Sequence, residues 1–492
     1  MRVLMISPEY PDTYWSFRHA LKFISKKAIN PPLGLLTMAA MLPPHWEKKV
    51  VDLNVTSLRE KDIMEADYVL ISAMSVQSAS VSRVIEVSKI HGTKIIAGGP
   101  MFTGDPDSYL HLDHLILNEA EITLPQFLSD LEKGCPRQVY STDAFADLSL
   151  SPTPDYSLID ISDYAQLNLQ YSRGCPFDCE FCEITSLLGR KVRTKSSDQI
   201  LGELEAIYRT GYRGNLFLVD DNFIGNRHKL KKDLLPAMSR WNDLHGSPFT
   251  FTTEASIDLA DDPELMHRMV DVGFEKVFVG IETVEQESLA ECNKAHNMDR
   301  DLTESVRKIQ SAGIEVSAGF IVGFDSDTPG VFQRQINFIQ QTGIITAMVG
   351  LLNAPNRTRL YQRLWKEGRI HEGFDGNNTN NSMNFTPKME QEKLLAGFKS
   401  INQTIYSSRV YYERLKQFLG RFQPGVKASR RKTGDQVMAF VRSVYYIGIL
   451  SRDRIHYWKL FIWSLLYKPK MFPLAITYSI YGYHFRKVYQ IR

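Results

Sequence analysis

The 492-residue chain reads as an α/β protein in three parts. A doubly wound N-terminal domain spans 1–145, a partial (β/α)6 barrel of the TIM type spans 166–386, and a mostly helical C-terminal domain spans 387–492. Three observations predict this. Short apolar runs alternate with helical stretches in each of the first two parts, the pattern of parallel sheets buried on both faces. Polar, chemistry-bearing residues recur at the C-terminal ends of the second set of runs. The last part exchanges strand patterns for basic, aromatic-rich helical ones.

Composition sets the outer bounds. A hydrophobic content of 43% with 23% charged residues is that of a globular chain with a sizeable core, which excludes a disordered or fibrous protein. Five cysteines in so long a chain point to a reducing, cytoplasmic setting rather than a disulfide framework. The opening MRVLMISPEYPD reads as a strand and loop, because its apolar run is too short for a signal peptide. No stretch reaches the roughly 20 uninterrupted apolar residues of a spanning helix.

In the first part the predicted strands are Val3–Ile6, Val50–Leu53, Tyr68–Ser72, Lys94–Ala97 and His114–Leu117. Leu33–Leu42 and Val81–His91 are helices between them. Such sheets bind ligands beyond the C-terminal ends of their strands. Three segments fall there: Ala73–Ser78, Gly98-Gly99-Pro100 and Asn118-Glu119-Ala120-Glu121. Gly98 and Gly99 either admit a bulky ligand close to the backbone or simply make a tight turn. No G-x-G-x-x-G occurs, so nothing indicates a dinucleotide. Thr142–Asp163, with its prolines and aspartates, reads as a linker.

In the second part the strands are Leu167–Tyr171, Asn215–Val219, Thr250–Glu254, Lys276–Ile281, Glu315–Phe320 and Ala347–Leu352. Ser197–Thr210 and Asp301–Ala312 are among the helices. Barrel chemistry sits at the C-terminal strand ends. Those ends carry, in order, Cys175–Cys182, Asp220-Asp221-Asn222, Glu254-Ala255-Ser256, Glu282-Thr283 and Val322-Gly323-Phe324-Asp325. Asp258, Asp261 and Asp262 read instead as helix-start residues. Cys135 and Cys292 lie in apparent surface turns. His371–Ser382 reads as a second linker.

The run Tyr171-Ser-Arg-Gly-Cys-Pro-Phe-Asp-Cys-Glu-Phe-Cys182 spaces Cys175, Cys179 and Cys182 as C-x3-C-x2-C. Four thiolates would close a four-iron, four-sulfur cluster. Three leave one iron open to bind a substrate group, as an open coordination position does in catalytic zinc sites. A structural zinc would need a fourth ligand, and the nearest following histidine is His228. The amino and carboxylate groups of S-adenosylmethionine suit such an open iron.

R-G-C-P-F-D-C-E-F-C resembles the radical S-adenosylmethionine superfamily, with similarity over about 166–386. Pro31-Pro-Leu-Gly-Leu35, Gly98-Gly-Pro and Asn118-Glu-Ala-Glu resemble cobalamin-binding modules fused to such barrels. The C-terminal part resembles a helical extension of a subgroup that includes hopanoid C-2 methylases and is related to archaeal tetraether lipid synthases. Val219–Asn226, Thr253–Ser256 and Gly319–Asp325 carry that narrower similarity.

The resemblance implies a [4Fe-4S] cluster on Cys175, Cys179 and Cys182, and Phe181 near the adenine of S-adenosylmethionine. It places Asp220, Asp221 and Asn222 at its amino group, where Gly-Gly-Glu is more usual. It sets Glu254, Ser256 and Glu282 toward the ribose or sulfonium, and Gly323 beside the adenine. Gly98, Gly99 and Glu119 would contact cobalamin. No histidine sits in the Asp-x-His-x-x-Gly motif that coordinates cobalt; His19 is nearest in position but lacks the Asp and Gly. The chain either binds cobalamin without that ligand or keeps the fold without the cofactor. The first case implies methylation of an unactivated carbon, the second ring formation or carbon–carbon coupling. A reductant such as flavodoxin or ferredoxin is implied in both.

Charge is unevenly spread. From Arg409 onward there are 17 Lys and Arg against three acids, a net of +14 in a chain whose total is +2. That region also holds 18 Phe, Trp and Tyr. Basic residues interleaved with aromatics suit either nucleic acid or an anionic membrane surface. The apolar stretches Leu460–Tyr467 and Phe472–Tyr481 favour the membrane. The expectation is a peripheral enzyme on the inner face of a membrane, acting on a lipid-like substrate, with RNA modification as the alternative.

Overall fold

The computed structural model describes residues 1–371, 373–377, 380–425 and 434–491. Strands β1 (Arg2–Ser7), β2 (Glu47–Asp52), β3 (Tyr68–Ser72), β4 (Lys94–Gly98), β5 (His114–Ile116) and β6 (Val139–Tyr140) form one parallel sheet in the order β2-β1-β3-β4-β5-β6. Leu4, Ile6, Val69 and Ile71 pack under helices on one face. Val3, Met5, Leu70 and Ile96 do so on the other. That two-sided burial is why these strands read as unbroken apolar runs. The order reverses between β1 and β3, which opens a crevice at their C-terminal ends. β6 is only two residues long, too short to show a period.

The second sheet is the open barrel. Its strands are β7 (Leu167–Leu169), β10 (Gly214–Leu218), β11 (Phe249–Glu254), β12 (Phe274–Glu282), β13 (Glu315–Val322) and β14 (Ala347–Leu351). All pair in parallel, in the order β14-β13-β12-β11-β10-β7. A short antiparallel ribbon, β8 (Ser172–Arg173) with β9 (Arg193–Thr194), brackets the cysteine loop. In β12, Val277, Val279 and Ile281 are fully buried, while the alternate Phe278 meets the Trp15 ring edge-on at 5.2 Å. Helices start where their caps predict. Ser196 and Gln199 form a capping box for Ser197–Arg209, and Asp262 caps Pro263–Val272 through the Leu265 amide. Asp258 and Asp261 lie in the turn before it, paired with Arg227 and Arg300.

The C-terminal part is helical: Gln391–Ile405, Ser408–Arg421, Gly434–Ser443 running on as a widened turn Val444–Ile449, Arg454–Tyr467 and Phe472–Val488. Its last helix clasps the beginning of the chain. Phe485 stacks on Tyr14 at 4.4 Å, His484 Nε2 donates to the Tyr14 carbonyl at 3.0 Å, and the Tyr14 and Tyr406 hydroxyls meet at 3.0 Å. One apolar core therefore runs from Tyr14 and Phe23 through the barrel to Phe485.

Two expectations change here. Thr142–Asp163 is not a loose linker but a strap of short turns, with Ala146, Leu148 and Tyr156 buried and the Tyr156 hydroxyl donating to Asn168 O at 2.8 Å. Phe472–Tyr481 is interior rather than membrane-facing, because Ala475, Ile476, Tyr478 and Ile480 fill the core against the N-terminal segment. The second linker, His371–Ser382, falls partly outside the described residues.

Candidate functional site

Cys175, Cys179 and Cys182 lie on the loop that leaves β8 and enters the helix Ile184–Leu188. Backbone bonds set its shape: Cys175 N to Gly189 O at 3.2 Å, Cys182 N to Cys179 O at 3.2 Å, and Glu180 N to Cys292 O at 2.9 Å. Burial pushes all three thiols above their ordinary pKa, so each gains from a cation that would stabilise its thiolate. Among the described residues no three Cys, His, Asp or Glu side chains gather as ligands of one metal ion would. A cluster asks for something else, since each thiolate takes a different iron. Phe181 is half-buried, edge-on to Phe324 with ring centroids 6.2 Å apart.

Behind the loop stands a group of acids. Burial raises Asp221 to about 7, with Asp220 adding to the shift. Burial also raises Glu254 to about 8, helped by the nearby Asp221, Asp220 and Glu282. Asp221 Oδ2 is buried without a hydrogen-bond partner. Clustered acids with an orphaned oxygen form an anionic recess that suits an ammonium or sulfonium.

Asp220 and its neighbours have other tasks than expected. Asp220 is fully buried and takes the amides of Tyr171 and Ser172 together with the Ser172 hydroxyl. It therefore holds the strand entering the cysteine loop instead of facing a ligand. Asn222 Oδ1 accepts from the Ser256 amide at 3.2 Å and from its hydroxyl at 3.3 Å, which joins the ends of β10 and β11.

Glu282 is aimed by an irregularity at the end of β12, where the register with β13 shifts between Gly280 and Glu282. Its φ of 61° is uncommon for a residue with a β-carbon. Its carboxylate accepts from Lys294 Nζ at 2.7 Å. A β-carbon on Gly280 would run into both partners. Burial pushes Lys294 down, but Glu282 and the cysteine thiols outweigh it and hold the ammonium above its usual value. Gly323, at φ 111°, takes a backbone shape that L residues rarely adopt, and a β-carbon there would sit tight against Leu394 and Met383, at 3.2 and 3.3 Å. Its amide donates to Asp327 at 2.8 Å.

The N-terminal contribution differs from expectation. Glu119 is not free for a cofactor. It pairs with Arg173 at 2.9 Å and Arg193 at 2.8 Å, and accepts the Ala146 amide at 2.8 Å. Glu121 pairs with Arg173 at 2.8 Å. These buried bridges bind the end of β5 to the ribbon just before Cys175. Gly98 and Gly99 answer to the sheet: a β-carbon on Gly98 would strike Ile116 O at 2.7 Å, and Gly99 has φ 94° with Ala73 O and Ser72 Oγ at 3.1 Å.

Beside them lies an open cleft with a volume of about 100 Å³. Ser75, Pro100, Met101 and Gly104 wall one side; Glu183, Ser186 and Leu187, which follow Cys182, wall the other. No histidine lines it, and His19 is elsewhere, paired with Asp12 at 2.7 Å. A β-carbon on Gly104 would meet open space. A group held there would meet no imidazole among these lining residues.

Sequence reasoning missed Lys294, Arg173 and Arg193, whose roles come from distant partners. It also misplaced Cys292, which is buried at 2% exposure because the chain turns inward there to deliver Lys294. Cys135 is exposed, as expected.

Similarity to known proteins agrees with this geometry. Residues 24–128 match the B12 binding domain, 169–339 the radical SAM superfamily, and 358–492 a domain of unknown function, DUF4070. The chain is 38% identical to an uncharacterised methyltransferase of Synechocystis sp., over 100% of this chain and 92% of that one. It is 32% identical to the hopanoid C-2 methylase of Rhodopseudomonas palustris, over 93% and 88% respectively. The solved structure of OxsB, a cobalamin-dependent S-adenosylmethionine radical enzyme, shares the fold with a TM-score of 0.63 at 15% identity, over 99% of this chain and 80% of that one. With an open cysteine trio, an anionic recess beside it and a histidine-free cleft walled by the residues that follow the third cysteine, the chain belongs to the cobalamin-binding radical S-adenosylmethionine methyltransferases, enzymes that use a [4Fe-4S] cluster, S-adenosylmethionine and cobalamin.

Proposed function

We propose that this enzyme methylates an unactivated carbon of an isoprenoid or other lipid. The observation that carries the reading is the shared wall of cysteine loop and cleft. Glu183, Ser186 and Leu187 follow the third cysteine and face Ser75, Pro100 and Met101 across the gap. The full-length likeness to a hopanoid C-2 methylase supports a lipid as substrate. Kinship to tetraether lipid synthases rests on the sequence motifs alone. Coupling without cobalamin and RNA modification lack comparable support.

When bound, the cluster with S-adenosylmethionine supplies a carbon-centred radical and cobalamin a transferable methyl group. The chain's own residues hold and orient. Cys175, Cys179 and Cys182 hold the cluster. Asp221 and Glu254 receive the positive charge of S-adenosylmethionine. Lys294, fixed by Glu282, sets a cation beside the thiols. Phe181 and Gly323 shape the wall for the adenine. A small redox protein such as flavodoxin or ferredoxin supplies electrons.

Anaerobic reconstitution with iron, sulfide and hydroxocobalamin tests the assignment. The expected result is about four irons per chain with stoichiometric cobalt, and methyl transfer to extracted lipid traced with labelled S-adenosylmethionine. A preparation that holds iron, cleaves S-adenosylmethionine and binds no cobalt would refute it.

A further inference from the structure

The C-terminal helices Gly434–Ser443 and Arg454–Tyr467 form a helical hairpin. The Trp458 indole donates to Gly448 O at 2.9 Å, Tyr457 and Ser443 share a hydroxyl contact at 2.9 Å, and Phe440 faces Phe461. The second leg is apolar on two sides. Tyr457, Leu460 and Ser464 are buried. Ile455, Ile462 and Leu466, spaced as one stripe on the opposite side, are exposed by 61%, 54% and 68%. A helix apolar all round is ordinarily buried, yet among the described residues nothing covers this stripe.

The first leg and the turn continue the pattern, with Val441, Tyr445, Ile449 and Leu450 each more than half exposed. Soluble chains rarely leave so many large apolar side chains together without a partner. Cations flank them. Arg452, Arg454, Lys459, Lys468 and Lys470 are in or beside the hairpin, and among the described residues none has an ion-pair partner. Of the hairpin's two carboxylates, Asp435 and Asp453, Asp453 is buried against Arg486 at 2.8 Å. No described helix is long and apolar enough to cross a membrane.

We propose that this hairpin is a docking face for an anionic lipid bilayer, lying in the interface with its apolar stripe among the acyl chains and its cations at the headgroups. A protein partner would more often match this many unpaired cations with acids and would need less of an apolar stripe facing outward. The hairpin also connects to the barrel. Arg442 donates to Lys22 O and Ser25 Oγ, Phe23 packs edge-on to Tyr446, and the same segment carries Trp15 to Phe278 of β12. A docked molecule would thus tie the barrel itself to the bilayer, through the helices packed where its strands begin, with Lys276 Nζ over the Tyr478 and Tyr481 rings. The inference rests on surface chemistry and stands whatever carbon is methylated.

Co-sedimentation of the full-length protein with vesicles tests it without turnover. Vesicles of phosphatidylcholine, with or without about one-third phosphatidylglycerol, are the probes. Binding is expected to the anionic vesicles only and to fall at least about tenfold in high salt. The exposed double variant Ile462→Glu with Leu466→Glu should bind at least about tenfold more weakly, with its melting temperature and its iron and cobalt content unchanged. Equal binding by wild type and variant, or none by wild type, would overturn the proposal. A concentration-dependent dimer that the variant dissolves would assign the face to a second copy instead. Retention on RNA in preference to anionic vesicles would assign it to nucleic acid.

Discussion

Glu254 and Asp221 are acids that the fold makes reluctant to ionise: burial raises both, Asp220 adds to the shift of each, and Asp221 and Glu282 add to that of Glu254. A raised carboxylate contributes stability that is present below its unfolded pKa and lost as pH rises through its folded one. For Glu254 that window runs from the usual carboxylate range up to about 8. The ligand-free protein should therefore melt lower as pH rises from about 6 to about 8, with Glu254 contributing at most about 1.4 kcal/mol for each unit. Glu254→Gln should flatten that slope, and an unchanged slope would show that Glu254 does not carry it. Binding a cationic ligand works the other way. S-adenosylmethionine favours the ionised acids, so its uptake near neutral pH should release protons and tighten as pH rises. Calorimetry in two buffers of different ionisation enthalpy reads the proton count directly. Lys294→Met, which strands Glu282, should weaken S-adenosylmethionine binding by about tenfold or more, the cost of leaving a buried charge unpaired.

At the scale of elements, the bridge from Glu119 and Glu121 to Arg173 and Arg193 is what joins the first sheet to the cysteine ribbon. Arg173 is two residues before Cys175, so its loss would disturb the cluster loop as well as the docking of the domain. Arg173→Gln should destabilise the protein by about 3–5 kcal/mol, the scale for breaking one side of a buried ion pair, and lower the iron retained after reconstitution. Pairing it with Glu121→Gln should restore part of the stability; no recovery in the double variant would mean that the ion pair is not the source.

This bridge also marks where sequence stops being legible. Strands buried on both faces leave an unmistakable apolar signature, and the five polar strand ends fell where barrel topology puts them. Glu119 was assigned to a ligand because it sits at a strand end, where ligands bind. Its true partners are 54 and 74 residues away, and neither periodicity nor spacing encodes a pairing of that range. Lys294 was invisible for the same reason, and Cys292 looked like a surface turn because a local pattern cannot tell an inward turn from an outward one.

At the scale of the whole molecule, the barrel and the C-terminal helices share one core, while the first sheet keeps two apolar clusters of its own. The segment around Tyr14 and Phe23 belongs by sequence to the first part but packs on the last helix. Unfolding of the ligand-free chain should accordingly show the barrel and the C-terminal helices melting together. A chain lacking Phe472–Arg492 should lose that transition instead of only its activity, because it would expose Tyr14, Tyr406 and Tyr411 at once. Differential scanning calorimetry distinguishes the outcomes, since an independent C-terminal domain would leave the barrel transition in place.

The clasp between Tyr14 and His484 has a consequence for the order of synthesis. The two residues are 470 positions apart, and at about 5–20 residues per second a ribosome takes roughly half a minute to a minute and a half to cover that distance. For that interval the first sheet can assemble, but its neighbouring segment has nothing to close against. A nascent chain therefore passes through a stage in which the B12-binding part is formed and its surroundings are still open, and the last helix to emerge shuts the door.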